Sequence, residues 1–256
     1  MKKVRAKKSL GQHFLRNEKI AQEIVCGLQE KNNVLEVGAG TGVLTKYLLK
    51  ADCKDFRIVE IDTESVAYLT EHYPCLNNKI TEGDFLTLNL SNIFNNEEFS
   101  LIGNFPYNIS NQILFKVLEN KYLIRQVVGM FQKEVAERVV ATEGKKTYGI
   151  LSVLLSVFYD REYLFEVPNT DFAPIPKVRS AVVRLNRKPK VDLPCREKDF
   201  FLTVKTAFNQ RRKMLRQSLK PLNVSLENIP EDMLTKRPEQ LSPENFITLT
   251  KLLYNV

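Results

Sequence analysis

The sequence predicts an α/β domain built on a mostly parallel, seven-stranded sheet with an antiparallel edge hairpin, followed by a small all-α C-terminal domain. Three observations carry that expectation. Short apolar runs alternate with segments of helical periodicity as far as residue 185, the pattern of βα units wound around a parallel sheet. One of these runs ends in Glu36-Val37-Gly38-Ala39-Gly40-Thr41-Gly42 just before a helix, where glycine lets backbone approach a ligand closely. Beyond residue 198 the chain is helical throughout, with breaks at Pro221, Pro230, Pro238 and Pro243.

Taken in order, helical spacing of apolar residues places a first helix at 18–28, and the run Val-Leu-Glu-Val gives a strand at 34–37. A helix at 44–49, a strand at 57–61, a helix at 64–72 and a short strand at 79–81 follow. The strand at 100–104 leads into a helix at 110–119 and a strand at 126–131. Helices at 134–141 and 148–158 come next, the second so apolar that it must be buried. Strands at 162–167 and 180–185 have no helix between them, so they are expected to pair antiparallel at the sheet edge. Residues 186–194 hold two prolines and mixed charge and form a linker. The domains are therefore expected at 1–188 and 189–256.

At 256 residues, 43% hydrophobic and 27% charged, the chain can fill one large core and one small appendage. Its densest apolar stretch, 150–159, falls short of the ~20 residues that span a bilayer. The basic start lacks the apolar region of a signal peptide, and a soluble, cytoplasmic monomer with no membrane association is expected. Cys26, Cys53, Cys75 and Cys195 are scattered, and only His13 and His72 could join them at a metal. No metal site is expected, and the thiols read as reduced. Scarce histidine also argues against Ser–His or Cys–His nucleophilic catalysis. Chemistry must come from positioning.

The net charge of +8 is unevenly spread. Residues 1–8 carry five basic groups, 176–190 six and 205–220 six, all without an acid. At about 100° per residue, Val204, Phe208, Leu215 and Leu219 fall on one side of the last segment. Lys205, Arg212, Lys213, Arg216 and Lys220 fall on the other, a cationic ridge suited to a phosphate-rich partner.

Two motifs carry the chemistry. In the glycine stretch, Val43 stands where a dinucleotide fingerprint requires Gly or Ala, and no Gly-Lys-Ser/Thr follows. Glu36 suits a cationic ligand better than a pyrophosphate. The strand at 100–104 runs into Asn104-Phe105-Pro106-Tyr107. An adenine N6 amine is a poor nucleophile because its lone pair is delocalised into the ring. Two acceptors aimed at its N–H bonds favour a pyramidal nitrogen, and the Asn104 amide oxygen with the Phe105 carbonyl can supply them. Pro106 keeps Phe105 extended, and Tyr107 offers a face on which an extruded base can stack. Together the motifs describe a pocket for S-adenosylmethionine beside a platform for an exocyclic amine.

Along nearly its whole length the sequence resembles the ribosomal RNA adenine dimethyltransferases that modify small-subunit RNA late in assembly. The matching segments, in order, are Lys8-Ser9-Leu10-Gly11-Gln12-His13-Phe14-Leu15, the glycine stretch, Glu60, Gly83-Asp84-Phe85, Asn104 to Tyr107, Phe172-Ala173-Pro174-Ile175-Pro176-Lys177-Val178, and Asn209-Gln210-Arg211-Arg212-Lys213-Met214-Leu215. Phe105 replaces the Leu or Ile more usual there, but the chemistry uses its carbonyl. The resemblance implies a Rossmann-like methyltransferase fold and S-adenosylmethionine as cofactor. Gly38, Gly40 and Gly42 would approach its methionine part, Glu60 its ribose hydroxyls, Asp84 its adenine amino group, and Gln12 would close the methionine end. It also implies a stacking role for Phe172 on the target base opposite Tyr107, supported by a stiff loop at Pro174 and Pro176. Arg211, Arg212, Lys213 and Arg216 would bind RNA.

The function so implied is dimethylation of N6 on two adjacent adenosines in a small-subunit rRNA hairpin near its 3' end. Three rivals share parts of this pattern. Macrolide-resistance methyltransferases act on large-subunit RNA, but the Gly-Gln-His-Phe and Gln-Arg-Arg-Lys segments resemble the assembly branch. A DNA adenine methyltransferase would usually carry Asp in place of Asn104 and a larger sequence-reading domain. A non-catalytic assembly or transcription factor on the same fold would not need Asn104, Tyr107 and the glycines intact.

Overall fold

The computed structural model describes residues 4–191 and 193–255; Lys2 and Lys3 of the basic start, and Asp192 of the expected linker, lie outside them. The elements run β1 (Phe14–Leu15), α1 (Glu18–Cys26), β2 (Asn33–Val37), α2 (Thr45–Leu48), β3 (Asp55–Glu60), α3 (Thr63–His72), β4 (Ile80–Glu82), β5 (Phe99–Asn104), α4 (Ser110–Glu119) and β6 (Ile124–Gln132). Then follow α5 (Lys133–Val140), α6 (Ile150–Phe158), β7 (Tyr159–Val167), β8 (Phe172–Ala173), β9 (Ser180–Arg187), α7 (Glu197–Asn209), α8 (Leu215–Ser218), α9 (Glu231–Leu234) and α10 (Pro243–Tyr254).

Seven strands form one sheet in the order β4-β3-β2-β5-β6-β9-β7. β4, β3, β2, β5 and β6 run parallel to one another, and β9 runs antiparallel to β6. All five residues of β2 are buried, as expected of a central parallel strand covered on both faces. The chain moves outward from β2 to β3 and β4, then returns to place β5 on the other side of β2. That reversal opens a crevice beyond the carboxyl ends of β2 and β5, the place where open α/β sheets bind ligands.

Two local features depart from expectation. β1 and β8 pair antiparallel as a separate two-stranded sheet, with Phe14 opposite Ala173 and Leu15 opposite Phe172. The helix after the glycine stretch is a single turn, Thr45–Leu48, because the left-handed Gly38, Gly40 and Gly42 (φ 72°, 57° and 79°) spend the preceding residues on a winding loop.

The chain divides into two compact units, Met1–Ala136 with Arg161–Arg187, and Glu137–Asp160 with Lys188–Val256. The sheet domain expected over 1–188 is thus interrupted by residues 137–160. The cause is α6: seven of its nine residues are buried, so one apolar stripe does not describe it, and within the second unit it packs on α7 and α10. There Tyr148 Oη donates to the Leu241 carbonyl at 2.9 Å, and Phe208 stacks on Phe246 at 5.7 Å. The cationic ridge is not one helix either. α7 ends at Asn209 and α8 starts at Leu215, whose N–H donates to the Lys236 carbonyl at 2.8 Å. Val204, Phe208, Leu215 and Leu219 are nonetheless all buried.

Candidate active site

The first unit carries a cavity at the crevice beyond β2, β3 and β5, with about 900 Å³ of empty space that includes the open solvent at its mouth. Gly38, Gly40, Glu60, Asp84, Gln12, Asn104, Phe105, Pro106 and Tyr107 all line it. Gly42 does not. A Cβ there would fall 2.7 Å from the Tyr73 ring, so this glycine serves the turn and its packing.

Glu60 ends β3 and is buried at 2% exposure. One carboxylate oxygen accepts the Gly40 N–H and the other the Asp62 N–H, both at 2.9 Å. Burial pushes its carboxyl above the ordinary carboxylate range, against the pull of these backbone bonds. A carboxylate has about four lone-pair sites, so each oxygen keeps one for a ligand hydroxyl. Asp84 closes an Asx turn through Oδ1, which accepts the Leu86 N–H at 2.9 Å. Its other oxygen has no hydrogen bond among the described residues. Exposed Ile61 and buried Phe85 also line the cavity.

Glu36 corrects the expectation of an acid facing a cationic ligand. It does not line the cavity; it is buried at 1% exposure and accepts the Thr45 hydroxyl at 2.7 Å. Burial, with the neighbouring Glu60 charge adding to it, raises its pKa to about 8. At neutral pH it is mainly a neutral acid inside the fold.

Asn104 is the last residue of β5, and its Nδ2 donates to the His13 carbonyl at 2.9 Å. That bond orients the amide, and Oδ1 has no hydrogen bond among the described residues. Phe105 is fixed from below. Its N–H donates to Met130 O at 3.2 Å, and its ring lies over Gly103 and Gly129, which face each other in register across β5 and β6. A Cβ on either glycine would come within 2.8 Å of that ring. Phe131 packs beside it at 5.0 Å. Tyr107 is hydrogen-bonded through its hydroxyl to Ser180 and stacks on His13, ring centroids 5.3 Å apart at 25°.

Phe172 is placed differently from the stacking role expected of it. It is buried at 1% exposure within the core and does not line the cavity. Pairing of β8 with β1 turns it inward, overriding the loop that its flanking prolines suggested.

The N-terminal arm supplies residues that sequence reasoning underweighted: Leu10, Gly11, His13 and Phe14 line the cavity alongside Gln12. The Lys7 ammonium pairs with Asp62 and, at 3.2 Å, with Glu64. Gln12 is engaged at both ends of its amide, accepting the Lys7 N–H at 2.9 Å and donating to Asp62 at 3.4 Å. Burial raises the Asp62 carboxyl, but the bonds from Lys7 and Ser65 outweigh it and leave the pKa lowered. Asp62 also caps the start of α3. The motif Lys8 to Leu15 signalled this segment; its wrapping around Asp62 was not visible in it.

The basic segments are less free than their sequences suggest. Arg211 pairs with Glu239 at 2.5 Å and Arg216 with Glu231, correcting the expectation of a ridge without acidic partners. Arg184 and Arg187 likewise pair with Glu162 and Glu98. Arg212 and Lys213 are exposed, have no acidic partner among the described residues, and line an open groove of the second unit with Lys146. No cluster of metal-ligating side chains occurs among the described residues, and none of their helices is long and apolar enough to cross a membrane.

Comparison with known proteins places these features in context. The family model described as "Ribosomal RNA adenine dimethylase" matches residues 3–252. A "Ribosomal RNA small subunit methyltransferase A" of Flavobacterium johnsoniae is 56% identical over 98% of this chain and 97% of its own. One of the same name from Cytophaga hutchinsonii is 53% identical over 99% of both. Among solved structures, a dimethyladenosine transferase from Plasmodium falciparum superposes with a TM-score of 0.78 at 27% identity, covering 95% of this chain and 97% of that one.

Proposed function

The chain belongs to the ribosomal RNA adenine dimethylase family, and from that premise we propose that it dimethylates N6 of two adjacent adenosines in a small-subunit rRNA hairpin near its 3' end, late in subunit assembly. S-adenosylmethionine is the cofactor in this reading, supplying an electrophilic methyl group on a sulfonium. The observation that carries the reading is the orientation of Asn104: its N–H end is committed to the His13 carbonyl, so an acceptor is presented to the cavity.

The cavity fits such a cofactor. Glu60 would hold the ribose hydroxyls through the lone pairs that Gly40 and Asp62 leave open, and Asp84 the adenine amino group through its unengaged oxygen. The backbone at Gly38 and Gly40 would meet the methionine part, which Gln12 would close. On the substrate side, Asn104 Oδ1 and the Phe105 carbonyl accept the two N–H bonds of the target amine and favour a localised lone pair. Pro106 holds that carbonyl in place, and Tyr107 stacks on the base. An amide has no useful basicity, so Asn104 is not a general base and the displaced proton passes to water. Positioning of this kind can supply roughly 7–11 kcal/mol in favourable cases. After the first transfer one N–H remains, and one of the two acceptors suffices for it.

RNA affinity is assigned to Arg212 and Lys213, with Arg211 and Arg216 able to join by exchanging their carboxylate partners for phosphate. The protein would act as a cytoplasmic monomer on the small subunit. The small-subunit name carried by the bacterial relatives supports this substrate over large-subunit RNA. Incubation with labelled cofactor and unmethylated small subunits, followed by mapping of the modified adenines, tests it: label at paired adenines near the 3' end of the small-subunit RNA is expected, and label confined to large-subunit RNA would overturn it.

A further inference from the structure

We infer that Lys116 is a positioning residue of the cofactor site: from outside the cavity it fixes the turn that carries Asp84, and with it the carboxylate offered to the cofactor's adenine amino group. This rests on the reading of Asp84 given above. Lys116 itself does not line the cavity, so it acts through the turn and not on the ligand.

Lys116 lies half-buried in the second turn of α4. Its ammonium donates to the Leu86 carbonyl at 3.0 Å and to the Leu88 carbonyl at 2.8 Å, and it pairs with no carboxylate among the described residues. Hydrogen bonds from a charged donor are roughly twice as strong as neutral ones, and here two of them close on a single turn. Leu86 stands between the lysine and the acid. Its N–H donates to Asp84 Oδ1 at 2.9 Å while its carbonyl accepts from Lys116. On the main-chain side, the Asp84 carbonyl accepts the Thr87 and Leu88 N–H groups at 3.0 and 3.2 Å. With the Leu86 and Leu88 carbonyls held, the Leu86 N–H keeps its direction and pins one oxygen of Asp84, which sets the direction of the other. Without Lys116 both carbonyls turn to water, and the carboxylate regains its other rotamers, so ordering it again costs binding free energy.

The placement of α4 gives this clasp a second consequence. The helix follows the tetrapeptide directly, and its first residue, Ser110, donates through Oγ to the Pro106 carbonyl at 3.2 Å. Ile113, Leu114, Val117 and Leu118 are buried and anchor it. One helix therefore holds the residues proposed for the target amine at its start and the turn proposed for the cofactor's adenine in its second turn.

The test compares two ligands by calorimetry: S-adenosylhomocysteine, and its analogue with hydrogen in place of the adenine amino group. Lys116→Met keeps the length of the side chain and removes its donors. It should weaken S-adenosylhomocysteine by about five- to tenfold, the worth of one hydrogen bond, and leave affinity for the analogue within about twofold. In an Asp84→Ala background the same substitution should change affinity by less than about twofold, because the two residues act as one unit. Unchanged affinity in Lys116→Met, an equal loss for both ligands, or losses that add in the double variant would each overturn the proposal and leave Lys116 a loop contact. A readout on the wild type covers the case in which Lys116→Met does not fold: S-adenosylhomocysteine should slow acetylation of Lys116 by acetic anhydride and the analogue should not, and equal rates with both ligands would also overturn it. Asp84→Ala alone separates the two levels. If it leaves S-adenosylhomocysteine affinity unchanged, the adenine reading of Asp84 itself fails.

Discussion

Replacing Glu36 with Gln distinguishes an acid that serves a ligand from one that serves the fold. Its carboxyl is buried, accepts the Thr45 hydroxyl at 2.7 Å, and has its pKa raised from 4.5 to about 8. A carboxyl raised in this way keeps its proton in the native state over a range where the unfolded chain has already lost it. Its contribution to stability is therefore complete below the unfolded pKa and is lost as pH climbs through the folded one. Between pH 6 and 9 about two units of that difference disappear, on the order of 2.7 kcal/mol at 1.36 kcal/mol per unit. Gln keeps the shape and the acceptor for Thr45 but does not titrate. Thermal melts across this range should show the wild type losing roughly 5–11 °C more than Glu36→Gln, at about 2–4 °C per kcal/mol for a chain of this size. Groups that titrate in both proteins largely cancel in the difference. Calorimetry should find cofactor affinity unchanged, because Glu36 does not line the cavity. Parallel melting profiles would refute the buried-acid account, and lost cofactor affinity would return Glu36 to the site.

Asn104→Ala should cut turnover by about 10²–10³, as losing one preorganised group commonly does, while cofactor affinity holds in a calorimetric titration; an equal loss in both would make it a binding residue only. Phe172→Ala should cost about 3–5 kcal/mol of stability, read as a lower melting temperature, with KM for subunits unchanged; a raised KM at full stability would restore the stacking role. Arg212→Glu with Lys213→Glu should weaken subunit binding and reduce its log–log salt slope by about 0.7–0.9 for each phosphate no longer neutralised, and an unaltered slope would mark both as solvated surface.

The central strands β2, β5 and β6 were legible because parallel strands buried on both faces read as continuous apolar runs. The glycine stretch and the tetrapeptide were legible because each couples residue type to spacing. What escaped depends on partners far away in the chain. Glu36 and Glu60 both lie at the carboxyl ends of parallel strands, and only the position of Thr45 shows that the first turns inward while the second lines the cavity. Phe172 sits among prolines that favour a loop, but its strand partner lies in the N-terminal arm. The ridge looked unopposed because Glu231 and Glu239 come after it in sequence and return to it in space. A helical wheel drawn over 204–220 placed the buried residues well, yet missed the break at residues 210–214, which carry neither proline nor glycine to announce it.

The Phe105 ring rests on two facing glycines, so the acceptors proposed for the target amine are supported by a strand that contributes nothing to their motif. A methyl group at position 129 would press 2.4 Å from that ring, and since the sheet fixes the backbone there, the ring would yield and carry the Asn104 amide and the Phe105 carbonyl with it. Gly129→Ala would therefore present as an inactive enzyme with its tetrapeptide unaltered. The four residues are equally unable to travel alone: grafted onto another parallel sheet, they would bring their names without their geometry unless the neighbouring strand offered the same bare patch.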